Sequence, residues 1–184
     1  KQTDSYNLLG SFNVEIEPFK NFKIASRAGV DAYVSKYGYT LIPSADFSGG
    51  VGDRIRRFGI GYAATITNTL EYSFNIADAH HFVILAGHEG VANQTDQFSA
   101  SSAGFTDDRL MNLQDGKQDQ FSVSEGFSQS RFLSFFGRLD YSILDKYFFD
   151  ASVRNDACSR FGANNRNATF WAAGAMWKIK GEDF

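Results

Sequence analysis

The chain has 184 residues, 43% of them hydrophobic and 16% aromatic, with a formal net charge of −3, two prolines and one cysteine. The lone Cys158 excludes an internal disulfide framework, the small net charge gives no global basic field for nucleic acid, and the longest wholly apolar run, Phe82–Ala86, is far short of the roughly 20 residues of a spanning helix. A mean hydropathy of −0.29 fits a soluble domain and equally a membrane barrel, whose strands are half polar.

Side chains of a strand point alternately to opposite faces, so period-two patterning marks strands along the chain. Leu8–Glu17 sets Leu8, Phe12, Val14 and Ile16 against Ser11, Asn13, Glu15 and Glu17, and Phe22–Val34 sets Phe22, Ile24, Ala28 and Val30 against Lys23, Arg27 and Asp31. Phe58–Ile76 alternates almost without a break: an apolar parity from Phe58 to Ile76 faces a parity of Gly, Thr, Glu, Ser and Asn. Asn68 alone interrupts its apolar side, and nothing in the sequence accounts for it. Strands in globular proteins seldom exceed about 10 residues, so a two-faced strand of this length points to lipid on one side. About 9–11 of its residues suffice to cross a bilayer, and its Phe58 end is expected to rise above the membrane. His81–Glu89, Arg131–Ile143, Tyr147–Asp156 and Thr169–Ile179 complete seven candidate strands.

The connections alternate in length. Pro18–Asn21, Ala77–His80 and Leu144–Lys146 are short, Ser35 to about Arg57 and Gly90 to about Ser130 are long, and Cys158–Ala168 is intermediate and polar. Outer-membrane barrels pair tight periplasmic turns with long external loops in this way. Gln120–Val123 is read as part of the second long loop or a local extension of the next strand. Asp107–Leu113 in the same loop is expected to form a short helix, with Asp107 and Asp108 at its N-terminus. Phe19, Phe22, Tyr72, Phe74, Tyr141, Tyr147, Phe148, Phe149 and Trp177 cluster near the tight turns, where a barrel carries its aromatic girdle.

The C-terminal third carries an ordered string: Phe135-Phe136-Gly137-Arg138-Leu139-Asp140-Tyr141-Ser142, Asp145-Lys146-Tyr147, Ala151-Ser152-Val153-Arg154, Ser159-Arg160-Phe161-Gly162, Asn164-Asn165-Arg166, Phe170-Trp171, Gly174-Ala175-Met176-Trp177 and Glu182-Asp183-Phe184. This string resembles the barrel of SusC/RagA-type TonB-dependent outer-membrane transporters of Bacteroidetes. Leu8–Glu89 is similar by pattern more than by motif. Ala157 stands where the family commonly has a turn glycine, and Cys158 where it has a serine. The resemblance implies an all-β, antiparallel up-and-down transmembrane barrel segment in the bacterial outer membrane. Residues 1–184 would form a single stretch of a wall of about 22 strands, with the plug domain absent from this chain. It implies nutrient uptake of a glycan or oligopeptide, with a SusD-like surface lipoprotein, TonB acting through the missing plug, and outer-membrane lipid as partners. The alternative is a soluble antiparallel β-sandwich or small-barrel ligand-binding module. The two differ in whether Ile60, Tyr62, Ile66, Leu70 and Tyr72 are buried against a second sheet. The start at Lys1, with no signal-peptide core, reads as a processed product or a piece of something longer.

Arg138 and Asp140 share a face and can pair with each other and with Asp150, Arg154 and Asp156 on the next strand. No acid/base or nucleophile set converges, so no catalytic residue and no cofactor are expected. His80 and His88 share a face but stand roughly 26 Å apart at strand spacing, and the loop carboxylates Asp46, Asp107, Asp108, Asp115 and Asp119 lack calcium-loop spacing; no metal site is expected. Gly49-Gly50-Val51-Gly52-Asp53-Arg54 lacks the lysine and hydroxyl of a phosphate loop. Arg54, Arg56 and Arg57 form a basic patch, either a solvated loop end or an anionic-lipid contact. The loop aromatics Tyr37, Tyr39, Phe47 and Phe105 are candidate cargo contacts, because aromatic faces stack on planar or amphipathic ligands; the plainer reading is that they pack their loops.

Overall fold

The computed structural model describes residues 1–160, 162 and 167–181. Of the family-like string, Phe161, Asn164-Asn165-Arg166 and Glu182-Asp183-Phe184 lie outside these residues. Seven strands form one sheet in sequential order: β1 (Gln2–Phe19), β2 (Phe22–Leu41), β3 (Gly52–Ile76), β4 (His80–Phe105), β5 (Phe121–Ile143), β6 (Tyr147–Cys158) and β7 (Asn167–Trp177). Gln120–Val123 thus falls largely into the extension of the following strand. The antiparallel register runs Ile143↔Tyr147 to Phe132↔Cys158 between β5 and β6, and Tyr147↔Trp177 to Ala157↔Asn167 between β6 and β7.

The strands outrun their sequence signal. β4 has 26 residues where alternation marks only His81–Glu89, and the supposed long loops shrink to 42–51 and 106–120. The reason is physical. In stretches such as Asn93-Gln94-Thr95-Asp96-Gln97 both faces are polar, so the period-two signal vanishes while the hydrogen-bond ladder continues. The helix expected over Asp107–Leu113 does not form. Asp107 accepts the backbone N–H of Arg109 at 2.9 Å and its guanidinium at 2.7 Å, and Asp108 accepts the N–H of Ser44 at 3.0 Å. Both carboxylates are committed to turn and inter-loop bonds rather than to a helix end. Two 3₁₀ turns, Leu113–Asp115 and Gln118–Gln120, follow.

The chain divides into two compact units, and the long strands contribute to both. One comprises Lys1–Leu9, Val30–Ala63 and Asn93–Gln129; the other comprises Gly10–Gly29, Ala64–Ala92 and the chain from Ser130 onward. The first contains both longer connections. Phe105 closes its packing at 1% exposure, beneath the backbones of Gly52 and Gly116. The second contains the tight turns. At two of them paired residues adopt positive φ, Ala77 (51°) with Asp78 (52°) and Leu144 (55°) with Asp145 (52°), the backbone demanded by type I′ turns, whose twist suits a hairpin.

The residues that separate barrel wall from sandwich are decisive. Ile60, Tyr62, Ile66, Leu70 and Tyr72 are all 38–48% exposed, and among the described residues there is one sheet. The apolar face of β3 therefore has no second layer to cover it, and the sandwich alternative is excluded.

Candidate functional site

The apolar parity of the turn-bearing unit carries a row of rings. Phe19 stacks on Phe22 at 4.7 Å, Phe22 meets Tyr72 at 6.2 Å, Tyr72 meets Phe74 at 5.5 Å and Phe74 meets Phe82 at 5.1 Å. Phe82 then stacks on Tyr141 at 4.6 Å, Tyr141 reaches Phe149 at 6.0 Å, and Tyr147 pairs with Trp177 at 6.3 Å. The expected girdle is therefore present, with two amendments. Phe82 belongs to it. Phe148 does not: it is registered opposite Ser142, one residue out of phase with Phe149, which puts it on the polar parity.

Two histidines are absorbed on the girdle's own face. His80 Nδ1 lies 2.7 Å from the Tyr141 hydroxyl, and His88 Nε2 lies 3.0 Å from Asn68 Nδ2. The second pair explains the polar interruption in β3, because each side chain supplies the partner that hydrocarbon would deny it. His81 bonds Asn75 at 2.6 Å. The three histidines thus have three separate partners, and among the described residues no cluster could hold a metal ion.

On the polar parity, Arg154 of β6 extends across β5. Its Nη2 donates to Glu89 Oε1 of β4 at 2.8 Å and to Ser134 Oγ at 2.9 Å, and its Nε donates to Asp156 at 2.6 Å. Ser134 is small and buried, which leaves the guanidinium room to bridge two strands over. Thr67 donates to the other Glu89 oxygen at 3.3 Å. Phe136, opposite Arg154 in the register, lies under the guanidinium at 5.7 Å. Arg138 pairs with Asp140 at 2.7 Å, as the shared parity implies. Glu89 is the member that sequence reading missed, since the strand between hides a pairing of β4 with β6.

In the other unit, a concavity of about 540 Å³ has Tyr33, Tyr37, the hydroxyls of Ser35, Ser99 and Ser124, Gln97, and both Arg57 and Glu125 in its lining. Tyr37 and Tyr39 prove to be strand residues of β2, not loop residues. Tyr37 sits beneath the Arg57 guanidinium at 5.1 Å, with the Lys1 ammonium at 5.7 Å. Phe47 rides the 42–51 connection at 80% exposure, whereas Phe105 is buried and packs the loop base. The structure thus brings none of the four candidates together. The basic patch also divides by parity: the Arg56 side chain crosses Gly38 and Arg54 reaches Thr40 at 3.4 Å, while Arg57 turns to Tyr37. Cys158 is buried, and its Sγ accepts the N–H of Arg160.

No family model matches the chain. Among curated proteins it is 27% identical to TonB-dependent receptor P26 of Formosa agariphila over its whole length, which is 19% of that protein. It is 44% identical over 57 residues to TonB-dependent receptor SusC of Bacteroides thetaiotaomicron, 31% of this chain and 6% of that one. Among solved structures, the RagAB peptide transporter superposes over 98% of the chain at TM-score 0.92 and 33% identity, covering 20% of the transporter chain. The ferric citrate transporter FecA shares the fold at TM-score 0.60 and 8% identity, over 96% of this chain and 26% of its own. The chain spans about a fifth of the length of TonB-dependent receptor P26 and of the RagAB transporter chain. An uncovered apolar parity with a ring row, a charged opposite parity and these likenesses agree: the chain belongs to the SusC/RagA type of TonB-dependent transporters and is a stretch of their outer-membrane β-barrel wall.

Proposed function

We propose that the transporter containing this chain imports a glycan or an oligopeptide across the outer membrane with energy delivered by TonB, and that residues 1–184 form one uninterrupted stretch of its barrel wall. The plug through which TonB acts belongs to another part of that protein, and a SusD-like surface lipoprotein covers the external loops. The observation that carries this reading is the two-sidedness of β3. Its apolar parity stays uncovered while its polar parity supplies Thr67 to the Glu89–Arg154 network, as a wall between lipid and an aqueous or plugged lumen requires. The chain does no chemistry in this scheme; it bounds a passage. Tyr37, Tyr39 and Phe47 are the proposed cargo contacts of the wall and its loop, and Phe105 holds the loop base. The likeness to the RagAB peptide transporter supports the oligopeptide form of the cargo, and the likeness to SusC bears on uptake without choosing a cargo. The test is accumulation of labelled oligosaccharides and oligopeptides by cells expressing the full-length transporter, with and without TonB. Uptake of one class that stops when TonB is removed is the expected result; uptake indifferent to TonB overturns the proposal.

A further inference from the structure

A groove of about 700 Å³ crosses the uncovered apolar parity within the unit that contains the tight turns. From β3 to the end of β6, each strand contributes three consecutive residues, 64–66, 90–92, 131–133 and 157–159, and β2 adds 28–29. In each triplet the outer two residues lie on the apolar parity, so the middle one presents its backbone as floor. Ala64, Gly90, Ala92 and Ala157 are too small to fill the space, and Ile66 and Leu133 stand at its side. Arg131 is the one charged residue of the lining. Its backbone N–H donates to Ser159 Oγ at 2.9 Å, but among the described residues its guanidinium has no hydrogen-bond or ion-pair partner. Glu89 and Asp156, the carboxylates next to the lining in sequence, lie on the polar parity and are bound to Arg154.

The height of Arg131 identifies what answers it. It stands ten residues from Tyr141 of the ring row. That is about 33 Å of strand, or about 25 Å along the membrane normal at a tilt of about 40°. The apolar band of an outer-membrane barrel is about 25 Å tall. With the rings at the headgroups near the tight turns, Arg131 reaches the headgroups of the outer leaflet, and Leu133 and the groove lie just inside the hydrocarbon. We propose that the groove holds a phosphorylated glycolipid of that leaflet, with one acyl chain on the floor of backbone and small side chains and the phosphate on the Arg131 guanidinium. The planar fork suits a phosphate because two parallel N–H donors match two of its oxygens. A second copy of the chain fits this face less well. A two-fold contact sets one patch against itself, and this lining has no carboxylate to meet Arg131. The inference rests on the assignment of the wall and not on the cargo.

The test uses the full-length transporter, purified in detergent, and follows bound lipid by native mass spectrometry as lipid A, its dephosphorylated form and phosphatidylglycerol are added in turn. Lipid A is expected to bind about tenfold or more tighter than its dephosphorylated form, and tighter than phosphatidylglycerol. Arg131→Gln should abolish the phosphate preference, and Arg131→Lys should restore part of it. Ala92→Phe, which fills the groove, should weaken both forms of lipid A, whereas Arg54→Gln, outside the groove, should weaken neither. Unchanged thermal unfolding of the variants shows that the wall is intact. Absence of a phosphate preference, a preference that survives Arg131→Gln, full binding by Ala92→Phe, an equal loss with Arg54→Gln, or tighter binding of phosphatidylglycerol overturns the proposal. So does an Ala92→Cys variant that cross-links into dimers in cells where the unsubstituted transporter does not, because a second copy then occupies the groove. These readouts are separate from TonB-dependent uptake, so this inference and the transport reading fail independently.

Discussion

Gly87 is empty because Phe136 needs its place. A Cβ there would stand 2.6 Å from the tip of the Phe136 ring and 2.8 Å from the Asn68 carbonyl oxygen. Gly87→Ala is expected to destabilise the barrel by about 1–3 kcal/mol, as overpacking does, read as a lower urea midpoint of the full-length transporter. The Glu89–Arg154 pair is partly exposed, 29% and 41% at the side chains, so its worth is modest. A double-mutant cycle of Glu89→Gln and Arg154→Gln should return a coupling of about 1 kcal/mol or less. Asp107 lies in the loop, where hydrogen bonds from the Arg109 side chain and then its backbone hold the carboxyl down to about 2. Its folded pKa is below the unfolded value of about 4, so the contribution of this clip is complete above that value and is lost as pH falls toward 2. A carboxyl-carbon NMR titration should find Asp107 unchanged down to about pH 4, and Arg109→Gln should raise its midpoint. Single residues were the least legible in sequence. Asn68 and Glu89 take their meaning from partners on other strands, His88 and Arg154, and one chain written in order does not display register.

At the scale of elements, the period-two signal located all seven strands but not their lengths. It ends where a strand stops having one wet face and one apolar face, and β4 runs on to Phe105 regardless. Tyr37 and Tyr39 lie past the point where the alternation ends, and so read as loop residues in sequence although β2 runs on to Leu41. The tight turns were better marked, since they fall between apolar runs that end abruptly. Two of them carry avoidable strain. Leu144 and Asp145 adopt positive φ without being glycine, and side-chain-bearing residues pay for that conformation. Leu144→Asn combined with Asp145→Gly places a favoured type I′ pair in the turn and retains the Leu144 N–H that donates to the Ala79 carbonyl at 2.8 Å. The double variant should gain about 1 kcal/mol in urea unfolding of the full-length protein; a loss would show that the turn is held by its neighbours rather than by its own residues.

At the scale of the molecule, the assignment of faces is what the whole reading depends on, and it can be attacked directly. Ile66→Arg puts a charge on the uncovered parity and should cost about 2–4 kcal/mol of folding in bilayers if that face meets lipid near the midplane, while Thr69→Arg, on the other parity, should cost far less. Equal penalties would deny the two-faced wall. The class of the fold was legible early, because alternation and turn length follow from a solvent difference across the sheet. The concavity was not, because its residues come from β2, β3, β4 and β5 and carry no shared motif. The row of rings near the tight turns has a last consequence. Each ring from Phe19 to Phe149 is in contact with the next, so no strand can slide along the membrane normal without unstacking its neighbours. The row therefore acts as a fixed waterline at one leaflet. In a thicker or thinner bilayer the hydrophobic mismatch must be taken up by tilt or by the opposite leaflet, which makes the level of the distant strand ends, rather than that of the turns, the quantity that responds to lipid composition.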